Sequence, residues 1–213
     1  MSQRMLSSSV LPDAVTEIDI DSFCAAMREL AGGVVVVTVG RNQDITGFTA
    51  TSFASLSAHP PRLLVCVNKG SASWLALQRH PHFGVNILRN EERAFANRFA
   101  GRDGLKGAAR YVGARWTTMV TGTPILENAL AVLDCEVEEM LPRYDHSIVI
   151  GRVRAARSCP GSLPLVYWRG DYHSFQRTAE IRERVRGAHR DALAEPASDR
   201  VGIQWKRFVR DGK

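Results

Sequence analysis

The chain is built from short apolar runs separated by polar or glycine-rich breaks. The first run, residues 34–39, holds five valines and one threonine, and β-branched residues of this kind are typical of a buried strand. Residues 40–44 are turn formers, so a strand that begins at Ile45 is expected to return as a hairpin. The pattern predicts further strands at residues 63–67, 83–88, 116–120, 130–138, 147–153 and 165–168.

An amphipathic helix is predicted near the start of the chain. Asp19 or Asp21 is expected to cap it, because an aspartate side chain accepts hydrogen bonds from the free amides of a first turn. Its apolar residues at helical spacing are Phe23, Ala26, Met27 and Leu30. The glycines at 32–33 end the helix.

Two more helices are predicted between strands. Residues 71–78 place Trp74 and Leu77 on the side expected to face the core. Residues 91–100 follow Asn90, which is expected to cap that helix.

Many short strands with few helices favour a mainly β fold with flanking helices, arranged as an antiparallel barrel. Residues 130–138 alternate apolar and polar positions, which predicts a half-buried strand. Glu136, Glu138 and Glu139 are expected on its solvated face, and paired carboxylates suited to glycoside chemistry are not evident.

Length and composition predict one folded domain with a segment on each side. A chain of 213 residues with 45% hydrophobic residues is able to bury a sizeable core. Residues 1–18 lack a pattern and are expected to form a flexible leader, residues 19–175 the main domain, and residues 176–213 a charged C-terminal extension of unknown role.

The location of the chain is expected to be cytoplasmic. No apolar run approaches the roughly 20 residues that span a bilayer, and the N-terminus lacks a secretory pattern, so no membrane association is expected. The four cysteines lie far apart and form no CxxC pair, as expected of reduced thiols.

The formal net charge of +6 is unevenly distributed. Residues 177–213 hold ten of the 28 basic residues and six of the 22 acidic residues, a net +4. A nucleic-acid domain would carry its basic surface on the folded body, with aromatic residues interleaved. Because most of the excess lies in the last segment, no nucleic-acid binding is expected.

Residues 45–74 concentrate the candidate chemistry. Small hydroxyl residues alternate there with glycine and alanine, which lets a flat ligand approach the backbone while hydroxyl and amide groups donate hydrogen bonds. The hydroxyl residues between the two strand-like runs are Thr46, Thr49, Thr51, Ser52, Ser55 and Ser57. A strand pair joined by an ordinary turn has the same composition, so composition alone leaves both interpretations open.

A candidate phosphate site follows the strand at residues 63–67. Asn68, Lys69, Ser71 and Ser73 offer one cation and several hydrogen-bond donors at the start of a predicted helix. Amides at a helix N-terminus and a nearby ammonium group suit a phosphate.

The remaining motifs do not predict a functional site. His80 and His82 form a His-x-His pair without a third ligand at a recognisable spacing, so no metal site is predicted. The glycines at 101, 104 and 107 follow a predicted helix rather than a strand, so they are no dinucleotide fingerprint. The sequence contains no GxSxG nucleophile elbow.

The order of several motifs resembles the flavin reductase-like domain, the small reductase component of two-component flavin-dependent monooxygenases. The resemblance covers roughly residues 20–175. The motifs are Thr49-Ala50-Thr51-Ser52-Phe53, Ser57, Pro60-Pro61, Asn68-Lys69 with Ser71 and Ser73, and residues 83–88, 98–100, 145–151 and 165–172. Each motif is weak alone, and their shared order makes the resemblance specific.

The resemblance implies a split β-barrel of the FMN-binding type, normally a homodimer, and assigns roles to residues. The flavin ring would be lined by Thr49, Ala50, Thr51, Ser52 and Phe53 with Ser57 nearby, and its phosphate held by Asn68, Lys69, Ser71 and Ser73. Phe99 and Arg102 are lesser cofactor-binding candidates. His146 would lie beside the nicotinamide as the catalytic candidate, although a lone histidine at a loop end is more often structural. The nicotinamide side would also include Tyr167, Arg169, Gly170 and Tyr172.

The function implied is hydride transfer from NADH or NADPH to FMN or FAD, with reduced flavin supplied to a separate monooxygenase. In such chemistry the cofactor reacts while the protein binds and orients it. Two alternatives stay open: a flavin-retaining reductase of a metal complex or corrin on the same barrel, and a non-catalytic flavin-binding electron carrier. Arg169 is the candidate to meet the 2′-phosphate of NADPH.

Overall fold

The structure is a computed structural model that describes residues 18–159 and 161–175. The predicted leader and the predicted C-terminal extension fall outside these residues, apart from residue 18. The domain boundaries therefore stay predictions.

Strands dominate the described residues. They are β1 (Gly32–Gly33), β2 (Val35–Arg41), β3 (Asp44–Ala50), β4 (Phe53–Ala58), β5 (Pro61–Asn68), β6 (His82–Ile87), β7 (Trp116–Thr118), β8 (Pro124–Leu126), β9 (Ala131–Arg143), β10 (His146–Ser158), β11 (Leu165–Trp168) and β12 (Asp171–Ser174). The helices are α1 (Ile20–Arg28), α2 (Ala72–Arg79) and α3 (Arg93–Phe99), with 3-10 turns at Asn90–Glu92 and Gly107–Tyr111. The predicted mainly β fold is confirmed.

Seven strands form one antiparallel sheet in the order β3-β2-β6-β9-β10-β5-β4. In a flat sheet β2 and β5 would lie about 19 Å apart, because neighbouring strands are spaced by roughly 4.8 Å. Valines of both strands nevertheless share one buried cluster with Trp74 and Leu77 of α2. The sheet is therefore curled into a barrel, and α2 packs between its two ends. Trp74 and Leu77 of α2 face the core, as expected from the sequence.

A second buried cluster covers the outside of the barrel. It joins Phe99 of α3, Tyr111, Ile125 of β8 and Leu165 of β11. Smaller sheets lie on this side, with β1-β11-β12 in one and β7-β8 in the other. This layer supports one end of β3, which matters for the site described below.

The prediction that one face of β9 is solvated is wrong for the first half of the strand. Asp134 is fully buried, and its carboxylate accepts hydrogen bonds from the amide (2.7 Å) and the hydroxyl of Thr121. Val132, also on this face, belongs to the second cluster, so both faces of the strand are covered there. Glu138 and Glu139, further along, are exposed as predicted.

The helices follow their predictions with two differences. Asp19 caps α1 by accepting from the Ser22 amide at 2.8 Å, yet α1 has no buried residue, and Phe23 is 53% exposed. The predicted Asn90 cap is wrong, because a 3-10 turn precedes α3 and the Asn90 side-chain oxygen has no partner. Instead the Glu92 carboxylate accepts from the Arg89 amide at 2.8 Å.

Two further observations concern the described residues as a whole. None of their helices is both long and apolar enough to cross a membrane. Cys24, Cys66, Cys135 and Cys159 are all free thiols, and burial raises the pKa of Cys135 well above its ordinary value.

Candidate functional site

An open cleft of about 180 Å³ lies where β3 meets the second cluster. Four separate parts of the chain contribute to it: the end of β3, the segment after α3, β11 and β12. The lining residues are Thr49, Ala50, Thr51, Ala100, Arg102, Tyr167 and Tyr172. The structure thus brings the predicted flavin wall and the predicted nicotinamide-side tyrosines to one place. We call this site the tyrosine cleft.

The β3 wall is fixed by α3. The Thr49 hydroxyl donates to the Ala96 carbonyl at 2.7 Å, so it is used by the fold and not free for a ligand. Gly47 lets the helix approach, because a Cβ at this position would lie 2.8 Å from the Phe99 ring and 2.5 Å from the Val37 carbonyl oxygen. The exposed Thr51 is left as the hydroxyl side chain of this wall that faces solvent.

The opposite wall is aromatic. Tyr167 and Tyr172 pack edge to face with ring centroids 5.2 Å apart. The guanidinium carbons of Arg102 and Arg93 lie 5.4 and 5.7 Å from the Tyr172 ring centroid. Burial raises the pKa of Tyr172, while the charge of Arg102 opposes this shift. Tyr172 is therefore a neutral, rigid part of the cleft.

A second cluster of candidates lies at the end of β5 and the start of α2. We define the basic turn as residues 68–71 together with Asp145 and His146. Main-chain contacts hold it: the Lys69 amide donates to the Asp145 carbonyl at 2.9 Å, and the Gly70 amide donates to the Asn68 side-chain oxygen at 2.7 Å. Ser71 caps α2 by accepting from the Trp74 amide at 3.1 Å. The Lys69 ammonium forms no salt bridge with any residue that the structure describes.

His146 belongs to this turn. It pairs with Asn68 in the β10–β5 register, and its side chain is 46% exposed. Its Nδ1 lies 2.8 Å from the Asp145 carboxylate, and this hydrogen bond lowers the pKa of Asp145. The ionised Asp145 orients the imidazole, whose other nitrogen is left for a ligand.

The cleft and the basic turn are joined through Ser52. Thr51 lines the cleft, and the next residue, Ser52, accepts a hydrogen bond from the Cys66 amide at 3.1 Å. Asn68 lies two residues beyond Cys66 on β5, a distance of about 7 Å. The two sites are therefore connected by a short surface path, as an elongated ligand would require.

The residues present fit a flavin. Small side chains and aromatic walls at the cleft suit a flat ring, and an ammonium, a hydroxyl and the N-terminus of α2 at the basic turn suit a phosphate. Gly70 keeps this cradle compact, since a Cβ there would lie 3.1 Å from the Asn68 side-chain oxygen.

Several predicted flavin contacts lie elsewhere in this structure. Ser57 pairs with Arg62, at the opposite end of β5 from Asn68, about 20 Å away along the strand. Ser73 is 2% exposed and faces the core. Phe99 is 1% exposed and packs in the second cluster. Phe53 packs against the inner core.

Two of the predicted nicotinamide contacts also lie outside the cleft. Arg169 forms hydrogen bonds of 2.7–3.0 Å to the Glu29 carboxylate and stacks on Trp168 at 4.5 Å. Gly170 completes the turn between β11 and β12, with a φ of +89°. This turn positions Tyr167 and Tyr172 opposite each other.

Sequence reasoning missed Ala100 and Arg93. Ala100 follows α3 and lines the cleft, and it stands within a motif that carried the resemblance. Arg93 contacts Tyr172 from the first turn of α3, 79 positions away in sequence, and no local pattern indicates that contact.

Comparisons with known proteins identify what the chain is similar to. The family described as the flavin reductase like domain matches residues 27–176. The reductase subunit HsaB of a flavin-dependent monooxygenase from Rhodococcus jostii (strain RHA1) is 35% identical over 159 residues, which are 75% of this chain and 80% of HsaB. The FMN reductase (NADH) RutF from Enterobacter sp. (strain 638) is 31% identical over 165 residues, 78% of this chain and 99% of RutF.

A solved structure gives the same result for the fold. The NADH:FAD oxidoreductase SgcE6 of Streptomyces globisporus C-1027 superposes with a TM-score of 0.69 at 28% identity, covering 78% of this chain and all of SgcE6. The family match spans most of the chain and includes both the tyrosine cleft and the basic turn. The chain therefore belongs to the flavin reductase like domain family.

Proposed function

We propose that this flavin reductase transfers a hydride from NADH to FMN and releases the reduced flavin to a separate monooxygenase. The observation that carries the proposal is the short path from the tyrosine cleft through Ser52 to the basic turn. NADH and FMN are named because the relative RutF is an FMN reductase (NADH). FAD is the competing flavin, since SgcE6 is an NADH:FAD oxidoreductase.

Residues of this chain bind and orient the reactants. Lys69 and Ser71 would hold the flavin phosphate, and the backbone from Thr49 to Ser52 would lie along the ring. Tyr167 and Tyr172 exclude water from one side of the cleft. A bound flavin would supply the acceptor for the hydride of the reduced nicotinamide, with the accompanying proton taken from solvent.

His146 is proposed, on the family resemblance, to lie beside the nicotinamide and orient it. The support is its place opposite Asn68 and its hydrogen bond to Asp145. An imidazole held by a carboxylate presents its second nitrogen in a fixed direction. Its proposed role is orientation, or a partial positive charge near the reduced flavin.

Steady-state oxidation of NADH and NADPH by purified protein, with added FMN, FAD or riboflavin, tests the proposal. Turnover that requires added flavin and is faster with NADH is expected. No flavin-dependent turnover with either nicotinamide would rule it out. Flavin that stays bound through gel filtration would favour a flavin-retaining reductase. A flavin bleached by dithionite but indifferent to nicotinamides would indicate an electron carrier.

The partner and location are part of the proposal. A separate monooxygenase is supported by HsaB, which is the reductase subunit of such an enzyme. A homodimer is supported by the family resemblance and by the exposed apolar side of α1, where Phe23 is 53% and Met27 48% exposed. A cytoplasmic location is supported by four unpaired thiols. Light scattering after gel filtration tests the dimer, and a monomer at micromolar concentration would contradict it.

A further inference from the structure

The arginines around the tyrosine cleft differ in their partners. Arg93 forms a 2.5 Å salt bridge to Asp171, and Arg98 lies 3.5 Å from Asp103. Arg110 donates to the Gly47 carbonyl at 2.6 Å. Arg102 lines the cleft itself and, within residues 18–159 and 161–175, forms no salt bridge to a carboxylate. Its charge is thus available to an anion.

The guanidinium of Arg102 is also held in place. Its Nη1 donates to the Asn97 side-chain oxygen at 3.0 Å, and its planar group lies against the Tyr172 ring. The Arg102 amide donates to the Asn97 carbonyl at 3.1 Å, which fixes the backbone. A guanidinium fixed in this way loses little side-chain entropy when it binds an oxyanion.

Both reactants of the proposed function carry phosphate groups, so the position of Arg102 decides between them. The basic turn already supplies an ammonium and a helix N-terminus for the flavin phosphate. Arg102 instead lines the tyrosine cleft, where the flavin ring is proposed to lie, together with Thr51. Arg169, the arginine expected to meet a nicotinamide phosphate, is engaged by Glu29 and Trp168.

We propose that Arg102, held by Asn97 and Tyr172, binds a phosphate group of the reduced nicotinamide dinucleotide. The inference rests on the proposed function. It assigns Arg102, a lesser cofactor-binding candidate of the sequence analysis, to the second substrate and makes it a determinant of nucleotide affinity.

The test compares Arg102→Ala with Arg115→Ala, which removes the same charge from an exposed arginine paired with Glu127. Because hydrogen bonds to charged groups contribute about 1.5–3 kcal/mol, Arg102→Ala should raise KM for NADH by about ten-fold or more. The Kd of FMN, measured by fluorescence titration, should stay unchanged. Arg115→Ala should change neither value. Arg102→Lys, which keeps a point charge, should recover part of the affinity.

A comparison of NADH with NADPH identifies the phosphate group that Arg102 binds. An equal rise in KM for NADH and NADPH assigns the pyrophosphate, and a larger rise for NADPH assigns the 2′-phosphate; both results support the proposal. A rise in the Kd of FMN with an unchanged Kd of riboflavin would overturn it, because Arg102 would then serve the flavin phosphate. Unchanged KM for both nucleotides would overturn it as well. A wild-type protein without turnover would instead refute the proposed function.

Discussion

The basic turn and the tyrosine cleft are built in opposite ways. The basic turn consists of two contiguous stretches held by main-chain hydrogen bonds, which leave the Lys69 and His146 side chains free of the core. The cleft combines residues from four separate parts of the chain, held by ring packing and guanidinium contacts. Consequently the turn separates stability from binding, whereas the cleft combines them.

This difference predicts that changes of the Lys69 and His146 side chains leave the folding stability unchanged. The same kind of change at the cleft should alter folding stability and binding together. Three substitutions test the contrast, and a fourth tests the start of the helix that leads to the cleft.

The largest effect is expected for Tyr172→Ala. Tyr172 is 6% exposed and contacts Tyr167, Arg93 and Arg102. Removal of a buried aromatic ring should lower the free energy of unfolding by about 3 kcal/mol or more. KM for NADH should rise because Arg102 loses its support.

Urea denaturation and steady-state kinetics measure the two effects of Tyr172→Ala. Tyr172→Phe is the control, since it keeps the ring and should stay close to wild type in both. A loss of affinity without a loss of stability would show that the cleft is not built as described.

The next effect is expected for Lys69→Ala at the basic turn. Loss of one charge-assisted contact should raise the Kd of FMN by about ten-fold, with the Kd of riboflavin unchanged because riboflavin has no phosphate. The midpoint of urea denaturation should not move. Lys106→Ala, which removes the same charge from an exposed lysine, serves as the control. Equal losses for FMN and riboflavin would show that Lys69 does not bind the phosphate.

The same contrast explains what the sequence predicted. The turn carries a local pattern, a strand followed by Asn68 and Lys69 and then a short helix, and the structure has that strand and that helix. Strands and the α2 core residues Trp74 and Leu77 were also predictable, because apolar periodicity is local. The grouping of Thr51 with Tyr167 and Tyr172 was available only through the family resemblance.

The differences between the expected and the observed contacts have tertiary causes. Asp134 alternates with apolar residues as a solvated position would, but a second layer with Thr121 covers it. Arg169 follows the tyrosine strand and was expected near the nucleotide, but Glu29 of a distant segment binds it. A local sequence pattern gives no information about a partner 140 residues away.

A smaller effect is expected for His146→Asn. The hydrogen bond between His146 and Asp145 is the main reason that the pKa of Asp145 lies below its ordinary value. In the folded wild type this contact is present at pH values above the lowered pKa and is lost as the pH falls through it. In the variant the pKa of Asp145 should rise toward 3.8, the ordinary value.

Carbon-detected NMR titration of Asp145 measures this change, and turnover should fall while the Kd of FMN stays constant. Asp171→Asn leaves Asp145 and His146 untouched and is the control for the titration. An Asp145 pKa that does not move in His146→Asn would contradict the contact.

The smallest effect is expected for Glu92→Gln, at the start of the helix that leads to Arg102. Burial is the main reason that the pKa of Glu92 is raised, although the hydrogen bond from the Arg89 amide opposes it. A raised pKa means that folding favours the protonated carboxyl. The contribution of protonated Glu92 to stability is complete below pH 4.5, which is the ordinary pKa of a glutamate. It is lost as the pH rises through the pKa of Glu92 in the folded protein.

Glutamine keeps the acceptor for the Arg89 amide but does not ionise, so the melting temperature of Glu92→Gln should exceed that of wild type at neutral pH and converge with it in acid. Glu139→Gln, at an exposed carboxylate on β9, should show no such divergence. KM for NADH should be the same in both variants, because neither residue lines the cleft. A melting temperature of Glu92→Gln below that of wild type at neutral pH would mean that the ionised carboxylate stabilises α3, and the burial argument would then fail.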